Sequence, residues 1–141
     1  MGRPLVSVLM PVYNEEDTVA RAIEGVINQT YENWELVIVD DGSTDRTPEI
    51  LERYSKKDRR IEILRNERNR GITKSLNIGL RACKGEYVAR LDADDWYHPE
   101  KLEHQVEFLE KNPDYGMVGT FFVLIYKDGR KVRVSLPIRH E

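Results

Sequence analysis

Short, nearly continuous apolar runs alternate along this chain with stretches whose apolar positions recur every three or four residues. The runs have strand length and the stretches have helical period, so their order predicts a single α/β domain over residues 1–141, with a largely parallel sheet. Leu5 to Val12 carries Val6, Val8, Leu9, Met10 and Val12 and reads as a strand covered on both faces. Asn14 then caps a helix. Glu15, Glu16 and Asp17 fall in its first turn, where negative charge suits the helix dipole, and Val19, Ile23, Val26 and Ile27 form its buried stripe. A second strand, Glu35 to Val39, runs into Asp40-Asp41-Gly42-Ser43. Thr47 caps the next helix, with Pro48 at its first position and Ile50, Leu51 and Tyr54 facing inward.

The third strand is Ile61 to Leu64, and the loop Arg65 to Gly71 leads to a helix with Ile72, Leu76, Leu80 and Cys83 on one side. Gly85 stands where a left-handed helix cap belongs. Tyr87 to Leu91 is the fourth strand, followed at once by Asp92-Ala93-Asp94-Asp95. His98 and Pro99 open a helix whose core stripe is Leu102, Val106 and Leu109, and Asn112 and Pro113 end it. Two β-like runs, Met117 to Tyr126 and Lys131 to Leu136, are joined through Asp128-Gly129, a hairpin signal that adds antiparallel strands at one edge of the sheet.

Composition narrows the function classes. The chain has 141 residues, of which 40% are hydrophobic, enough for one compact core. Lys and Arg number 22 against 25 Asp and Glu, a formal net charge of −3 that argues against a general nucleic-acid binder. Cys83 is the single cysteine, so no internal disulfide forms, and a reducing, cytoplasmic setting is the default. The longest near-apolar run, Gly116 to Tyr126, falls well short of the ~20 residues a spanning helix needs.

Candidate chemistry sits at the strand ends. In an open parallel sheet, ligands bind beyond the carboxyl ends of the strands. Pro11, Tyr13 and Glu15 follow the first strand, Asp40 and Asp41 the second, and Asp92 and Asp94 the fourth. Crowded aspartates repel one another, and a divalent cation is the simplest compensation. Residues two apart on an extended chain point the same way, so Asp92 and Asp94 can converge on one ion. Mg²⁺ or Mn²⁺ held by one or two carboxylates has its shell completed by substrate phosphates, so the implied ligand is a diphosphate. The bland alternative is that these aspartates cap the following helix. A calcium loop of EF-hand type fails, because its fifth and sixth places hold Trp96 and Tyr97. A phosphoaspartate hydrolase fits poorly, since Asp95 and Trp96 follow the D-x-D on the fourth strand. Asp40-Asp41 could cap the next segment as turn aspartates often do, or a buried carboxylate there could accept a hydrogen bond from a nucleobase imide.

Taken together, Val6 to Glu15, Val39 to Asp45, Asn69-Arg70-Gly71 and Gly85 to Asp95 resemble, in order, the family 2 glycosyltransferases. The resemblance runs over about residues 5–115. It implies the GT-A fold, a Rossmann-like three-layer α/β/α sandwich, and inverting transfer of a sugar from a nucleotide-diphosphate donor, most often UDP-linked, to an acceptor hydroxyl. Carried over residue by residue, it puts Pro11, Val12, Tyr13 and Glu15 around the nucleoside, Asp41 on the base, Asp92 and Ala93 along the ribose and phosphates, and Asp94 on the metal, with Asp92 as the second candidate metal ligand. Asn69 and Gly71 match the family's loop. Arg65, Arg68, Arg70 and Lys74 could meet phosphates or sugar, or could equally form a solvated face.

Family members usually continue into a segment that binds the acceptor, a saccharide, lipid or protein, and supplies an Asp or Glu as general base. Glu103, His104, Glu107, His140 and Glu141 are the late titratable residues, and none sits in a matching motif. The expectation is therefore a donor-binding portion truncated at the acceptor part, acting as a transferase or as a nucleotide-sugar-binding module without turnover. A location at the cytoplasmic face of a membrane is compatible with it. A metal-dependent nucleotidyltransferase is disfavoured, because no Gly-rich, Arg/Lys-marked phosphate loop lies near the first strand. Phe121, Phe122 and Leu124 are expected to lie exposed, which favours a homodimer.

Overall fold

A computed structural model describes residues 2–134. The last part of the second β-like run, through Leu136, and the late residues His140 and Glu141 lie outside the described residues. Two compact units are present, Met1–Glu103 and His104–Glu141.

In the first unit, β1 (Val6–Val12), β2 (Trp34–Asp40), β3 (Ile61–Arg65) and β4 (Tyr87–Arg90) form a parallel sheet in the order β3-β2-β1-β4. Leu9 stands opposite Val37, Pro11 opposite Val39, and Val39 opposite Leu64, so these side chains share one face. Leu9, Val37 and Val39 are buried there against Leu76, Ile78, Ala82 and Cys83, most of them from α3 (Ile72–Ala82). Val8, Met10, Leu36 and Ile38 point to the opposite face and are fully buried. Right-handed crossovers put α1 (Val19–Ile27) and α2 (Thr47–Lys57) over that face, giving the three-layer arrangement. Chain direction across the sheet reverses after β3: β4 lies on the far side of β1. That reversal opens a crevice beyond the carboxyl ends of β1 and β4.

Several local expectations give way to tertiary structure. Asn14 does not cap α1, which begins five residues later behind Thr18 with no side-chain cap. Asn14 instead takes φ of 50°, and residues 15–18 form turns. Thr47 is the first residue of α2, behind Arg46. On α3 the face against the sheet is the one bearing Ser75 and Gly79, whereas Ile72 and Leu80 are 55% and 51% exposed. Close approach decides that choice: a Cβ at Gly79 would come 2.8 Å from Val39 Cγ2. Gly85 is not left-handed; α3 ends at Cys83 in extended conformation. Gly85 is required by space, since a Cβ there would lie 2.6 Å from the Ser7 amide nitrogen.

In the second unit, α4 (Lys101–Lys111), which starts at the end of the first, is followed by β5 (Phe122–Ile125) and β6 (Lys131–Val134). These two strands pair antiparallel as a sheet of their own, with Phe122 opposite Val134 and Ile125 opposite Lys131.

Candidate functional site

Three strand ends and the start of α3 enclose a cleft of about 300 Å³ lined by Pro11, Val12, Tyr13, Glu15, Asp41, Asn69, Gly71, Ile72, Ser75, Asp92, Ala93 and Asp94. The chain leaves β1 through Pro11 and Val12 and exposes Tyr13 to 44%, so its ring is available beside the cleft. Glu15 Oε2 accepts from the Thr18 hydroxyl at 3.1 Å.

At the end of β2 two adjacent aspartates turn to different tasks. Asp40 is 1% exposed; its Oδ1 receives the Ser43 N–H at 2.9 Å, and Arg65 Nε lies 3.7 Å from its Oδ2. Asp41 faces the cleft. Gly42, with φ of 76°, makes the turn between them and the following loop, and a Cβ on it would lie 2.6 Å from the Arg68 carbonyl carbon. Asp41 Oδ1 accepts from Asn66 Nδ2 and the Arg70 N–H, each at 2.8 Å, and Oδ2 accepts from the Gly71 N–H at 2.9 Å. Burial alone would raise its pKa, but these bonds and one from Ser75 outweigh it and hold the carboxyl below its ordinary range. Asp41 is thus kept ionised and fixed in direction, as an acceptor for an N–H on a ligand requires.

β4 ends at Arg90, and the Leu91 N–H still reaches the Leu9 carbonyl at 3.0 Å, which carries Asp92 to the cleft mouth. Arg90 Nη2 lies 3.3 Å from Asp92 Oδ1. The next residues turn sharply, the Asp95 N–H donating to the Asp92 carbonyl at 3.0 Å, and the Tyr97 hydroxyl donates to the Arg90 carbonyl. Burial, then the charges of Asp94 and Asp92, push the Asp95 carboxyl above its ordinary pKa. Negative charge is therefore in excess at this corner. Among the described residues no group of three or more His, Cys, Asp and Glu side chains is placed to hold a metal ion by itself. Asp92 and Asp94, both accessible from the cleft, fit a cation that takes its remaining oxygens from substrate phosphates and water.

Pro11, Val12, Tyr13, Glu15, Asp41, Asn69, Gly71, Asp92, Ala93 and Asp94 all line this cleft, whereas none of the basic residues Arg65, Arg68, Arg70 and Lys74 does, Lys74 being exposed on α3. Arg65 is occupied by Asp40 and the Ser43 carbonyl, and Arg70 contributes its backbone N–H to Asp41. Arg68 and Arg70 side chains are exposed and outside the lining. Of the late titratable residues, Glu103 pairs with Arg3 at 2.8 Å and Glu107 with Lys111 at 2.6 Å. Ile72, Ser75 and Asn66 were not anticipated. No local signal marks Ser75, since α3 also carries Thr73, Lys74, Asn77 and Arg81, and the stripe through Ile72, Leu76 and Leu80 leaves Ser75 to its side.

The fold is an α/β domain with an acidic cleft at its strand ends, and comparison with known proteins places it in a family. The family model described as glycosyl transferase family 2 matches residues 7–141, and this chain belongs to that family. An uncharacterized glycosyltransferase of Haemophilus influenzae is 47% identical over 122 residues, covering 86% of this chain and 38% of its own length. Among solved structures, S. aureus TarS 1-349 in complex with UDP-GlcNAc superposes with a TM-score of 0.72 at 32% identity, covering 77% of this chain and 32% of that one. The mannosyltransferase PcManGT from Pyrobaculum calidifontis, in complex with GDP-Man and Mn2+, gives 0.72 at 31%, covering 77% and 33%. The fold is the GT-A fold. The chain spans only about a third of the length of these relatives, between 32% and 38%. No described helix is long and apolar enough to cross a membrane.

Proposed function

We propose that this chain forms the donor half of an inverting, metal-dependent glycosyltransferase that uses a UDP-linked sugar. The observation that carries the reading is the convergence of Tyr13, Asp41, Asp92 and Asp94, from three strand ends, on one cleft at the reversal point of the sheet. Tyr13 offers a ring to the uracil, and the ionised Asp41 offers an acceptor to its imide N–H. Asp92 and Asp94 would hold a divalent cation, which when bound supplies charge neutralisation for the departing diphosphate. Asn69, Gly71 and the Pro11-Val12 backbone shape the walls around the nucleoside. In inverting transfer the acceptor hydroxyl loses its proton to a base as it attacks the anomeric carbon. Asp41 is taken up by loop donors and the imide N–H, Asp92 and Asp94 by the cation, and Glu15 by Thr18, so no lining carboxylate is assigned as base.

That last point favours a second reading, a nucleotide-sugar-binding module without turnover by this chain alone. The two separate on UDP release from a panel of UDP-sugars with Mn²⁺. Release that disappears in Asp94→Ala supports the transferase reading, and release that survives that change removes Asp94 from its role. Metal-dependent binding with no release favours the module.

A further inference from the structure

The loop after β1, residues 13–18, and the loop after β2, residues 41–46, bring Tyr13, Glu15 and Asp41 to the cleft, and a set of hydrogen bonds centred on Asn14 joins them. Among the described residues Asn14 is the only non-glycine with positive φ, at 50°. Asparagine tolerates this conformation better than most residues, and its amide both accepts and donates. Asn14 Oδ1 receives the Thr44 N–H at 2.8 Å and the Asp45 N–H at 3.3 Å, while Nδ2 reaches Thr44 Oγ1 at 3.4 Å. Its own N–H donates to Ser43 Oγ at 3.0 Å. Around it the Glu15 N–H donates to Thr47 Oγ1 at 2.9 Å, the Glu16 N–H to Asp45 Oδ2 at 3.2 Å, and the Arg46 N–H to Glu16 Oε2 at 2.8 Å.

Asn14 is exposed and is not among the residues lining the cleft, although its neighbours Tyr13 and Glu15 are. We propose that Asn14 is a positioning residue for the donor nucleotide: its amide latches the loop after β2 onto the loop after β1 and sets Tyr13 against Asp41. This rests on the donor-site reading above. The latch matters because Tyr13, at 44% exposed, has little packing of its own to fix it, whereas Asp41 is tied to the loop before α3. Without the Asn14 oxygen the Thr44 and Asp45 N–H groups turn to water, and the two loops keep only the bonds from the Asn14, Glu15 and Glu16 N–H groups and from the Arg46 N–H, which fix Tyr13 less tightly against Asp41. A ligand must then order them at its own expense.

The test is calorimetric titration of UDP, in the presence of Mn²⁺ and well below the thermal midpoint, into wild type, Asn14→Gly and Asn14→Asp. Glycine keeps the backbone conformation and removes the latch; aspartate keeps the accepting oxygen. Loss of two ordinary hydrogen bonds predicts roughly 10- to 100-fold weaker UDP binding by Asn14→Gly, with Asn14→Asp recovering most of it. Amide exchange at Thr44 and Asp45 should quicken in Asn14→Gly and stay slow in Asn14→Asp. A residue with a merely structural role would lower the thermal midpoint and leave the dissociation constant of the folded protein unchanged. That result, or equal loss in both variants, overturns the proposal. If Asn14→Gly is not recovered folded, Asn14→Ala takes its place: weaker UDP binding that Asn14→Asp recovers supports the latch, and binding equal to wild type overturns it. Wild-type protein that binds no nucleoside diphosphate overturns the donor-site reading, and this inference with it.

Discussion

Asp41 illustrates how single side chains are prepared for a ligand. Hydrogen bonds from Asn66 and the Arg70 and Gly71 amides outweigh the cost of its burial and keep it ionised. Because its folded pKa lies below the ordinary value near 4, its contribution to stability is complete above that pH and is lost as pH falls through the folded value. Thermal midpoints measured from pH 7 to pH 3 should therefore drop at the acid end, and the drop should shrink in Asp41→Asn. The same substitution at pH 7 should cost about 2 kcal/mol in denaturant unfolding, since it turns an amide toward donors that had a carboxylate. Asp94→Ala belongs to the same scale but acts on binding alone. It should weaken UDP binding in Mn²⁺ by roughly 10- to 100-fold and leave the thermal midpoint of the unliganded protein within a degree or two.

At the level of elements, the turn after β2 depends on Gly42. Positive φ at 76° and a backbone neighbour at 2.6 Å leave no room for a side chain, so Gly42→Ala should cost at least about 2 kcal/mol, checked by urea unfolding. The four parallel strands are legible in the sequence to within a residue at their ends, most clearly β1 and β2, whose apolar runs buried on both faces have no competing pattern, whereas the run Met117 to Tyr126 yields a strand only over Phe122–Ile125, exposed throughout. The cleft was legible for a related reason: its residues sit where strands stop, and strand ends can be read from where the apolar run breaks. Helix details were less so. Asn14 looked like a cap, but its amide satisfies the amides of another loop, 30 residues away in sequence, which no local signal reveals. Of the stripe expected on α3, Leu76 and Cys83 pack against the sheet but Ile72 and Leu80 are exposed, and the buried positions are Ser75 and Gly79, because a side chain at Gly79 would run into Leu9 and Val39. For Lys74 the sequence leaves a phosphate or sugar contact and a solvated face equally open, and the residue lies exposed on α3 outside the cleft lining.

For the molecule as a whole, charge and apolar surface are unevenly distributed. The parallel sheet is closed over by helices, but β5 and β6 leave Phe121, Phe122 and Leu124 at 44%, 48% and 43% exposed, with Met117 at 84%. An apolar surface of this kind invites coverage, and a second copy of the chain is the partner always available. Light scattering over a dilution series should show the mass rising toward a dimer with concentration, and Phe122→Lys should hold it at the monomer; a wild-type monomer at high concentration would contradict the expectation. The central claim, however, is that the strand ends form a donor site. Titration of the wild-type chain with UDP, GDP, ADP and CDP, each with and without Mn²⁺, tests it most directly. The account predicts that UDP binds in Mn²⁺ and far more weakly without it, and that Asp94→Ala abolishes the difference. Binding of none of the four, or UDP binding indifferent to both the metal and Asp94, would contradict it.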